Sequence, residues 1–293
     1  MARLRALVRP PLPESLRGNL VSAVGTVEVP TERWRGQGIT YRPHRYVAGA
    51  AYAVDPDCGP HTTPTVAPPA LVEWDDVVLT WEETCAAFTP ADLADLRERV
   101  RQDFEAQFSH KLEGVLWTNK VGGVDLATSH PNVGLASTGV STLVFGDPVG
   151  VMTAWRGLLR RMSTCLGGAR GVIHVPQWST GYLDYYGLII KEGTRLVGTS
   201  SDHIVVAGTG YTGAGPGDVA PAAGNAWFYA TSMVEVRRGA VEVPALDPEN
   251  VDRVDNSVAV YGTAPALASW DRACHLAVEV CLEDPGPLCA EGS

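Results

Sequence analysis

Residues 89–116 read TPADLADLRERVRQDFEAQFSHKLEGVL, and this stretch sets the framework for the rest of the chain. Thr89 is a helix-capping residue, Pro90 suits the first helical position, and Asp92 lies three residues after the cap. Apolar residues then recur every three or four positions, at Leu93, Leu96, Val100, Phe104, Phe108, Leu112 and Val115. Charged side chains fill the positions between them. The pattern predicts one long amphipathic helix that lies on a sheet or on another part of the protein.

The residues before this helix indicate extended structure. Residues 1–30 combine apolar side chains with four prolines (Pro10, Pro11, Pro13 and Pro30), which is typical of a strap across a neighbour rather than of an independent domain. Short strands are predicted at Gly38–Tyr41, Tyr46–Ala48 and Val77–Trp81. Between them, the turn-rich stretch Asp55–Pro69 contains five prolines. A loop of that length inside a compact domain is usually functional.

The residues after the helix alternate helix and strand signals. Asp147 and Pro148 predict the start of a second helix that ends at Leu166, before Gly167-Gly168. A buried strand at Gly171–Val175 and a small helix from Pro176 through Leu183 follow. Further strands are predicted at 188–190, 203–207, 234–236, 241–243, 258–260 and 276–280, with a Gly/Pro/Ala loop at 208–225. This order predicts an α+β protein.

The bulk composition indicates a surface that partners cover. Charged residues make up only 19% of the 293 residues and hydrophobic residues 45%, whereas soluble domains average about 25% charged residues. The length fits one elaborated domain or two closely packed lobes. The net charge of −10 argues against a nucleic-acid reader, because apart from Arg3, Arg5, Arg9 and Arg17 no basic face is apparent. A container wall that nucleic acid slides past is compatible with that charge.

The cysteines, the apolar runs and the N-terminus indicate the cellular compartment of the protein. The six cysteines are irregularly spaced, which predicts buried thiols rather than a disulfide framework; they are Cys58, Cys85, Cys165, Cys274, Cys281 and Cys289. No apolar run approaches the ~20 residues of a membrane span, and the N-terminus lacks the pattern of a signal peptide. We therefore expect a protein that is made and kept in a reducing cytoplasm.

Motif by motif, the sequence predicts no catalytic, cofactor-binding or metal-binding residues. The run Gly208-Thr-Gly210-Tyr-Thr-Gly213 has the letters of a dinucleotide fingerprint, but the residues after it cannot form the required helix, so a flexible loop is favoured. Cys58 and His61 have metal-like spacing, but four ligands are needed and Cys274-His275 is the only other close pair. His174 is interpreted as a core histidine, and the acidic pairs Asp75-Asp76 and Glu82-Glu83 as solvated edge charges. Most of the eight tryptophans are interpreted as core residues.

With this order of elements in hand, the chain resembles the major capsid proteins of tailed bacteriophages, the Hong Kong 97-type fold. The stretch 171–207 is similar to the lobe strands of such proteins, and the ending from Val258 through Trp270 to Val280 is similar to their closing strands. The resemblance implies an N-terminal arm at 1–30 and an extended β-hairpin loop at 31–88. It implies a peripheral lobe with a spine helix at 89–119 and returning strands at 226–293, and an apical α/β lobe at 120–225. The Arg/Ala/Gly/Pro-rich, Lys-poor composition is similar to that of phages of high-GC bacteria.

The resemblance also implies a function and its partners. The chain would be a non-enzymatic major capsid protein, without a cofactor, that self-assembles as hexamers and pentamers into the icosahedral head of a virion. The extended loop would lie over one neighbour, the arm would strap a second, and the lobe 120–225 would meet its copies at the capsomer centre. The loop 208–217 would adapt there between rings of five and six. Further partners would be portal, scaffolding and decoration proteins, and packaged DNA would be contacted non-specifically. Assembly would occur in the host cytoplasm and would involve no membrane.

The sequence differs from some members of the family at its N-terminus and in its crosslinking residues, and it leaves three alternative functions open. The arm begins at Met1 and leaves no room for a cleaved scaffolding segment, so we expect no processing. Lys111, Lys120 and Lys191 are candidates for the Lys–Asn crosslinks of some relatives, but nothing selects one, and noncovalent assembly is expected. The alternatives are an encapsulin-type nanocompartment shell that holds an enzyme cargo, a soluble hydrolase with a hidden His/Asp/Cys set in one deep pocket, and a phage tail or connector protein.

Overall fold

The described residues form two large β-sheets joined by one long helix, and two small two-stranded sheets. The computed structural model describes residues 18–30, 38–41, 71–86, 90–128, 131–244, 251–252 and 257–282. The helices are α1 (Leu20–Val24), α2 (Pro90–Thr118), α3 (Val151–Cys165) and α4 (Thr180–Tyr185), with 3-10 turns at Leu126–Thr128 and Gln177–Ser179. The strands are β1 (Val27–Glu28), β2 (Ile39–Tyr41), β3 (Val72–Trp74), β4 (Val77–Ala86), β5 (Lys120–Val121), β6 (Val124–Asp125), β7 (Thr142–Leu143), β8 (Val149–Gly150), β9 (Val172–Pro176), β10 (Ile189–Glu192), β11 (Arg195–Gly198), β12 (Ile204–Gly208), β13 (Asn225–Thr231), β14 (Val234–Arg238), β15 (Val251–Asp252), β16 (Ser257–Trp270) and β17 (His275–Cys281). The two small sheets are β2-β3 and β5-β6.

Helix α2 confirms the long amphipathic helix, with 29 residues. The predicted apolar stripe is buried at Leu96, Val100, Phe104, Phe108 and Leu112. Near the end of the helix Val115 is partly exposed, whereas Leu116 and Trp117, which were not predicted, are buried. At about 1.5–3 kcal/mol per fully buried large apolar side chain, this face anchors the helix to both sheets. Thr89, the predicted cap, lies outside the described residues.

The first sheet is built around the long strand β16. Its order is β1-β14-β16-β15, and β4 pairs with β16 on the other side. The β4–β16 ladder runs antiparallel from Val77↔Ala266 to Ala86↔Ser257. Strand β4 therefore extends the predicted strand Val77–Trp81 by five residues, while the expected strand at 241–243 reduces to a single bridge between Glu242 and Thr263.

The second sheet mixes parallel and antiparallel pairs. Its order is β10-β11-β12-β9-β13-β17-β7, and β8 also pairs with β17. One face packs on α2 through buried side chains such as Val206 and Tyr229, and the opposite face packs on α3 through Leu158 and Met162. Two cores therefore lie on either side of this sheet.

Helix α3 begins later than predicted. It begins at Val151 with Gly150 as its N-cap, so the prediction that Asp147 and Pro148 begin the helix is wrong. Val149 and Gly150 instead pair with Val280 and Cys281 of β17. The capping pattern at Asp147 and Pro148 is local, so it could not indicate that the residues after it pair with a strand more than 100 positions later in the chain.

Residues 18–30 pack on their own chain. Gly18 bonds to both Thr194 and Ala207 of the second sheet, helix α1 follows, and β1 pairs in parallel with β14 of the first sheet. The expectation that the arm also straps a neighbour stays a prediction. Residues 1–17, and the expected strand Tyr46–Ala48 and loop Asp55–Pro69, lie outside the described residues. None of the described helices is long and apolar enough to cross a membrane.

The prediction that the cysteines are buried thiols is wrong for three of the six. Cys165 at the end of α3 and Cys274 just before β17 form a disulfide with a Cα–Cα distance of 5.4 Å, and Cys281 is also disulfide-bonded. The two partners Cys165 and Cys274 are 109 residues apart, so their spacing gives no sign of the proximity that the sheet creates. Disulfides persist in oxidising surroundings, whereas the sequence analysis expects a reducing cytoplasm. The compartment of the chain stays a prediction.

We expect loss of this disulfide to lower the free energy of unfolding by about 2–4 kcal/mol. The bond closes a loop of 109 residues, which restricts the unfolded chain strongly. Chemical denaturation of a C165S/C274A variant measures the effect. Adding a reductant to that variant should change its free energy of unfolding only by the contribution of the disulfide at Cys281. A variant as stable as the unmodified oxidised protein would contradict the stabilising role.

Candidate functional site

A buried carboxylate connects three parts of the chain. Glu113, on α2, is completely buried. Its Oε1 accepts hydrogen bonds from the Leu20 backbone N–H (2.8 Å) and from the Ser109 hydroxyl (3.1 Å). Its Oε2 accepts from the Gly210 N–H (3.0 Å) and from the Thr209 hydroxyl (3.3 Å). Glu113 thus ties α1 and the loop after β12 to the long helix.

The sequence pattern did not identify Glu113. Burial raises the pKa of this carboxyl above its ordinary value, and the four hydrogen bonds oppose that shift. A buried acid that accepts hydrogen bonds from separate segments fixes their relative positions, since each donor would otherwise lack a partner. Ser109, Glu113 and Trp117 follow one another at four-residue intervals and are all buried on one side of α2, but this spacing alone does not distinguish a buried carboxylate from a solvated one.

The glycine-rich loop is packed rather than flexible. No helix follows β12, so the geometry of a dinucleotide site is absent from this described loop. A Cβ at Gly210 would overlap the His110 carbonyl of α2, and a Cβ at Gly215 would overlap the Trp227 indole. The interpretation of a flexible loop is therefore wrong. Gly210 allows the backbone to approach α2 closely, and Gly215 allows it to approach Trp227 of β13. That the loop 208–217 adapts between rings of five and six stays a prediction.

His174 is a core histidine, as predicted. It is fully buried in β9, and its ring nitrogens contact the Tyr211 hydroxyl (2.9 Å) and the Thr231 hydroxyl (3.0 Å). Burial and the nearby His275 lower its pKa to about 3. His275 packs against the Tyr229 and Trp270 rings, and burial lowers its pKa to about 4.

The candidate metal residues do not come together in the described part of the chain. Cys58 and His61 lie outside the described residues, and Cys274 is bonded to Cys165. Within the described ranges there is no group of three or more His, Cys, Asp or Glu side chains that could hold a metal ion. The acidic pair on β4 forms edge charges as predicted, with Glu82 exposed and Glu83 paired to Arg99 at 3.3 Å.

Among the described residues, one His/Thr/Glu group resembles a catalytic set but has the wrong order. The His110 Nδ1 lies 3.1 Å from the Thr209 hydroxyl, which lies 3.3 Å from the Glu113 carboxylate. In a nucleophilic triad the histidine stands between the hydroxyl and the acid, so that it can take the proton and be oriented by the carboxylate. Here the hydroxyl stands in the middle. The neighbouring groove of about 790 Å³ is open to solvent rather than a deep pocket, which does not favour the hydrolase alternative.

The lysines considered for crosslinks have different environments. Lys111 lies over the Trp81 ring at 5.0 Å, Lys120 pairs with Asp218 at 2.6 Å, and Lys191 is exposed on β10. Hydrogen bonding and attraction to Asp218 raise the pKa of Lys120, which makes its amine a poorer nucleophile. Noncovalent assembly stays a prediction.

Two surface features escaped the sequence analysis. Trp74, Trp117, Trp155 and Trp270 are buried as predicted, but Trp178 is exposed together with three tyrosines of the α4 region. Three arginines of α3 line one groove, although no basic face was apparent along the sequence beyond residues 1–17. Both features depend on which side of a helix each residue occupies, and both lie on the same face of the second sheet.

Comparison with solved structures finds matches along nearly the whole chain. A chain of Gordonia phage Cozz matches with a TM-score of 0.52 and 10% identity, covering 96% of this chain and 92% of that one. The capsid of Ralstonia phage GP4 matches with 0.51 and 10% identity, covering 98% and 96%. The capsid of an empty GTA particle computed with C5 symmetry matches with 0.50 and 13% identity, covering 94% and 95%. No family model and no curated protein matches the sequence.

Proposed function

We propose, from the Hong Kong 97-type capsid fold of this chain, that it is a major capsid protein which self-assembles into the icosahedral head shell around phage double-stranded DNA. The observation that carries the proposal is the near-complete coverage of both chains in the match to Ralstonia phage GP4 capsid, 98% and 96% at a TM-score of 0.51. The matched length includes the long helix and both sheets, so the likeness is not that of one common motif.

The proposed mechanism is geometric and assigns the chain no catalytic activity and no cofactor. Copies of the chain bind one another through heterologous contacts that close into hexamers and pentamers. The C5 symmetry of the GTA capsid computation supports fivefold rings in a protein of this fold. Portal, scaffolding and decoration proteins are further partners, packaged DNA is contacted non-specifically, and the location is the virion after assembly in the host cytoplasm.

The regions of the chain take the roles that the resemblance implies. We assign residues 1–30 to the arm, 31–88 to the extended loop, 89–119 and 226–293 to the peripheral lobe, and 120–225 to the apical lobe. Gly18 bonds to Thr194 and Ala207 of its own chain, which supports an arm that is anchored on its own subunit at this residue. The ladder between β4 and β16 supports a firm base for the extended loop.

Negative-stain electron microscopy of the purified recombinant chain at high protein concentration tests the proposal. We expect closed shells, tubes or flat sheets of capsomers, because the shell contacts are encoded in the chain itself. A protein that stays a monomer of 31.2 kDa in salt and crowding agents would contradict it. Uniform small shells that co-purify with an enzyme inside would instead identify an encapsulin-type compartment.

A further inference from the structure

The inference concerns which surfaces meet inside a capsomer, and it rests on the proposed function. Trp178, Tyr182, Tyr185 and Tyr186 lie in and around α4, at spacings that place them on one side of a helical segment. Leu183 on the opposite side is buried in the core beneath α3. Tyr185 is 84% exposed and Trp178 53% exposed, and the Tyr185 and Tyr186 rings meet edge to face at 5.2 Å. We call these four side chains the aromatic face.

A groove with the opposite character runs along α3. Arg156, Arg160 and Arg161 line it, together with Thr153 and Thr164, in a volume of about 610 Å³. A Cβ at position 157 would overlap the Phe145 ring, so Gly157 allows that ring to form the groove floor between the arginines. We call this the arginine groove.

The charge of the arginine groove is uncompensated within the described part of the chain. Helix α3 contains no acidic residue, and Arg156, Arg160 and Arg161 form no ion pair with any described residue. This concentration of positive charge stands out in a protein with a net charge of −10. Most other described arginines of the chain have partners, such as Arg238, which lies 2.6 Å from Glu105.

The two surfaces lie at opposite edges of the second sheet. The aromatic face is next to β10, at one end of the strand order, and the arginine groove includes Val144 and Phe145, which follow β7 at the other end. Six steps between neighbouring strands separate β10 from β7, a distance of roughly 29 Å at about 4.8 Å per step. Two different surfaces at opposite edges are what a head-to-tail ring requires, because each subunit must present one surface to each neighbour.

The chemistry of the two surfaces is complementary. A guanidinium group stacks favourably on tyrosine and tryptophan rings, and this chain already uses that contact where Arg272 lies over Trp74 at 4.6 Å. Exposed Asp184 precedes Tyr185 on α4 and offers a carboxylate to an arginine beside the aromatic face. Tryptophan, tyrosine and arginine are also the residues that dominate binding energy at protein interfaces. We propose that the arginine groove of one subunit receives the aromatic face of the next subunit around the capsomer.

Photocrosslinking in assembled particles tests which surfaces meet. Benzoylphenylalanine replaces Tyr185, labelled and unlabelled chains are mixed, and particles isolated by sedimentation are irradiated and analysed by mass spectrometry. We expect crosslinks between different chains that join residue 185 to residues 144–164. The same probe at exposed Tyr261 on β16 is the control and should not reach that segment. Assembled particles whose crosslinks from residue 185 fall elsewhere would overturn the inference and leave the proposed function standing. A chain that forms no particles would overturn both.

A charge reversal provides an independent test. We expect Arg160→Glu to reduce the fraction of chain in sedimenting particles by roughly tenfold or more, because a reversed charge at the contact repels its partner. Adding Asp184→Arg to the same chain should restore part of the assembly, because the two reversed charges attract again across the interface. Arg101→Glu on α2 is the matched control, since Arg101 is exposed and pairs only locally with Glu98. Circular dichroism verifies that each variant is folded. Normal assembly of Arg160→Glu would contradict the inference.

Discussion

Replacing Glu113 with alanine is expected to lower the free energy of unfolding by about 3–5 kcal/mol. The buried Leu20 N–H and the partly buried Gly210 N–H would both lose their acceptor, and each unsatisfied buried donor costs about 1–3 kcal/mol. The space left by the carboxylate adds to the cost. Urea denaturation followed by circular dichroism measures the loss. Because the same carboxylate joins α1, α2 and the loop after β12, residues 18–24 should also gain hydrogen exchange in this variant.

Two further variants make the Glu113 result interpretable. Glu113→Gln keeps one acceptor oxygen and should lose about half as much stability as the alanine variant. Glu105→Ala removes a carboxylate from the same helix that is partly exposed in its pair with Arg238, and exposed pairs contribute only about 0–1 kcal/mol. A Glu113→Ala protein as stable as Glu105→Ala would show that Glu113 does not tie the three segments together.

Acid should destabilise the second sheet strongly through two buried histidines. The folded chain lowers the pKa of His174 to about 3 and that of His275 to about 4, whereas both have values near 6.5 when unfolded. The neutral forms are therefore favoured by folding. Their stabilising contribution is complete above about pH 6.5 and is lost as the pH falls through that value toward the folded pKa values, because the unfolded chain then binds the extra protons. At pH 4.5 the loss is about 2–3 kcal/mol for each histidine.

Unfolding free energies measured at pH 7.5, 6.0 and 4.5 check this expectation. His174→Gln can still bond to Tyr211 and Thr231, and the variant should lose stability less steeply with acid than the unmodified chain. His110→Gln is the control, because His110 is exposed on α2. Equal pH slopes for the unmodified chain and the His174→Gln variant would contradict the assignment of the acid sensitivity to this histidine.

The elements that depend on local periodicity could be predicted from the sequence. The stripe from Leu96 to Leu112 specifies α2, and the alternation at the end of the chain specifies β17. The residues that link distant segments could not be predicted, because they have no local signature. Glu113 resembles any charged residue on a helix until α1 and Gly210 are placed beside it. Cys165 and Cys274 come together only when α3 packs on β17.

The surface features could likewise be predicted only where they depend on residues that are close together in the sequence. Helical spacing alone places Arg156 and Arg160 on one side of α3, yet only the position of Phe145 beside Gly157 makes that side a groove. The glycine loop was misinterpreted because composition does not distinguish glycines that permit motion from glycines that permit close packing. Gly210 and Gly215 belong to the second kind.

Sedimentation velocity of the purified, recombinant chain over a hundredfold range of protein concentration tests the central claim most directly. We expect species of five or six times the 31.2 kDa mass of one chain, followed at higher concentration by much larger closed particles. A single monomeric species over the whole range, in a protein that circular dichroism shows to be folded, would contradict the proposal that this chain builds a shell.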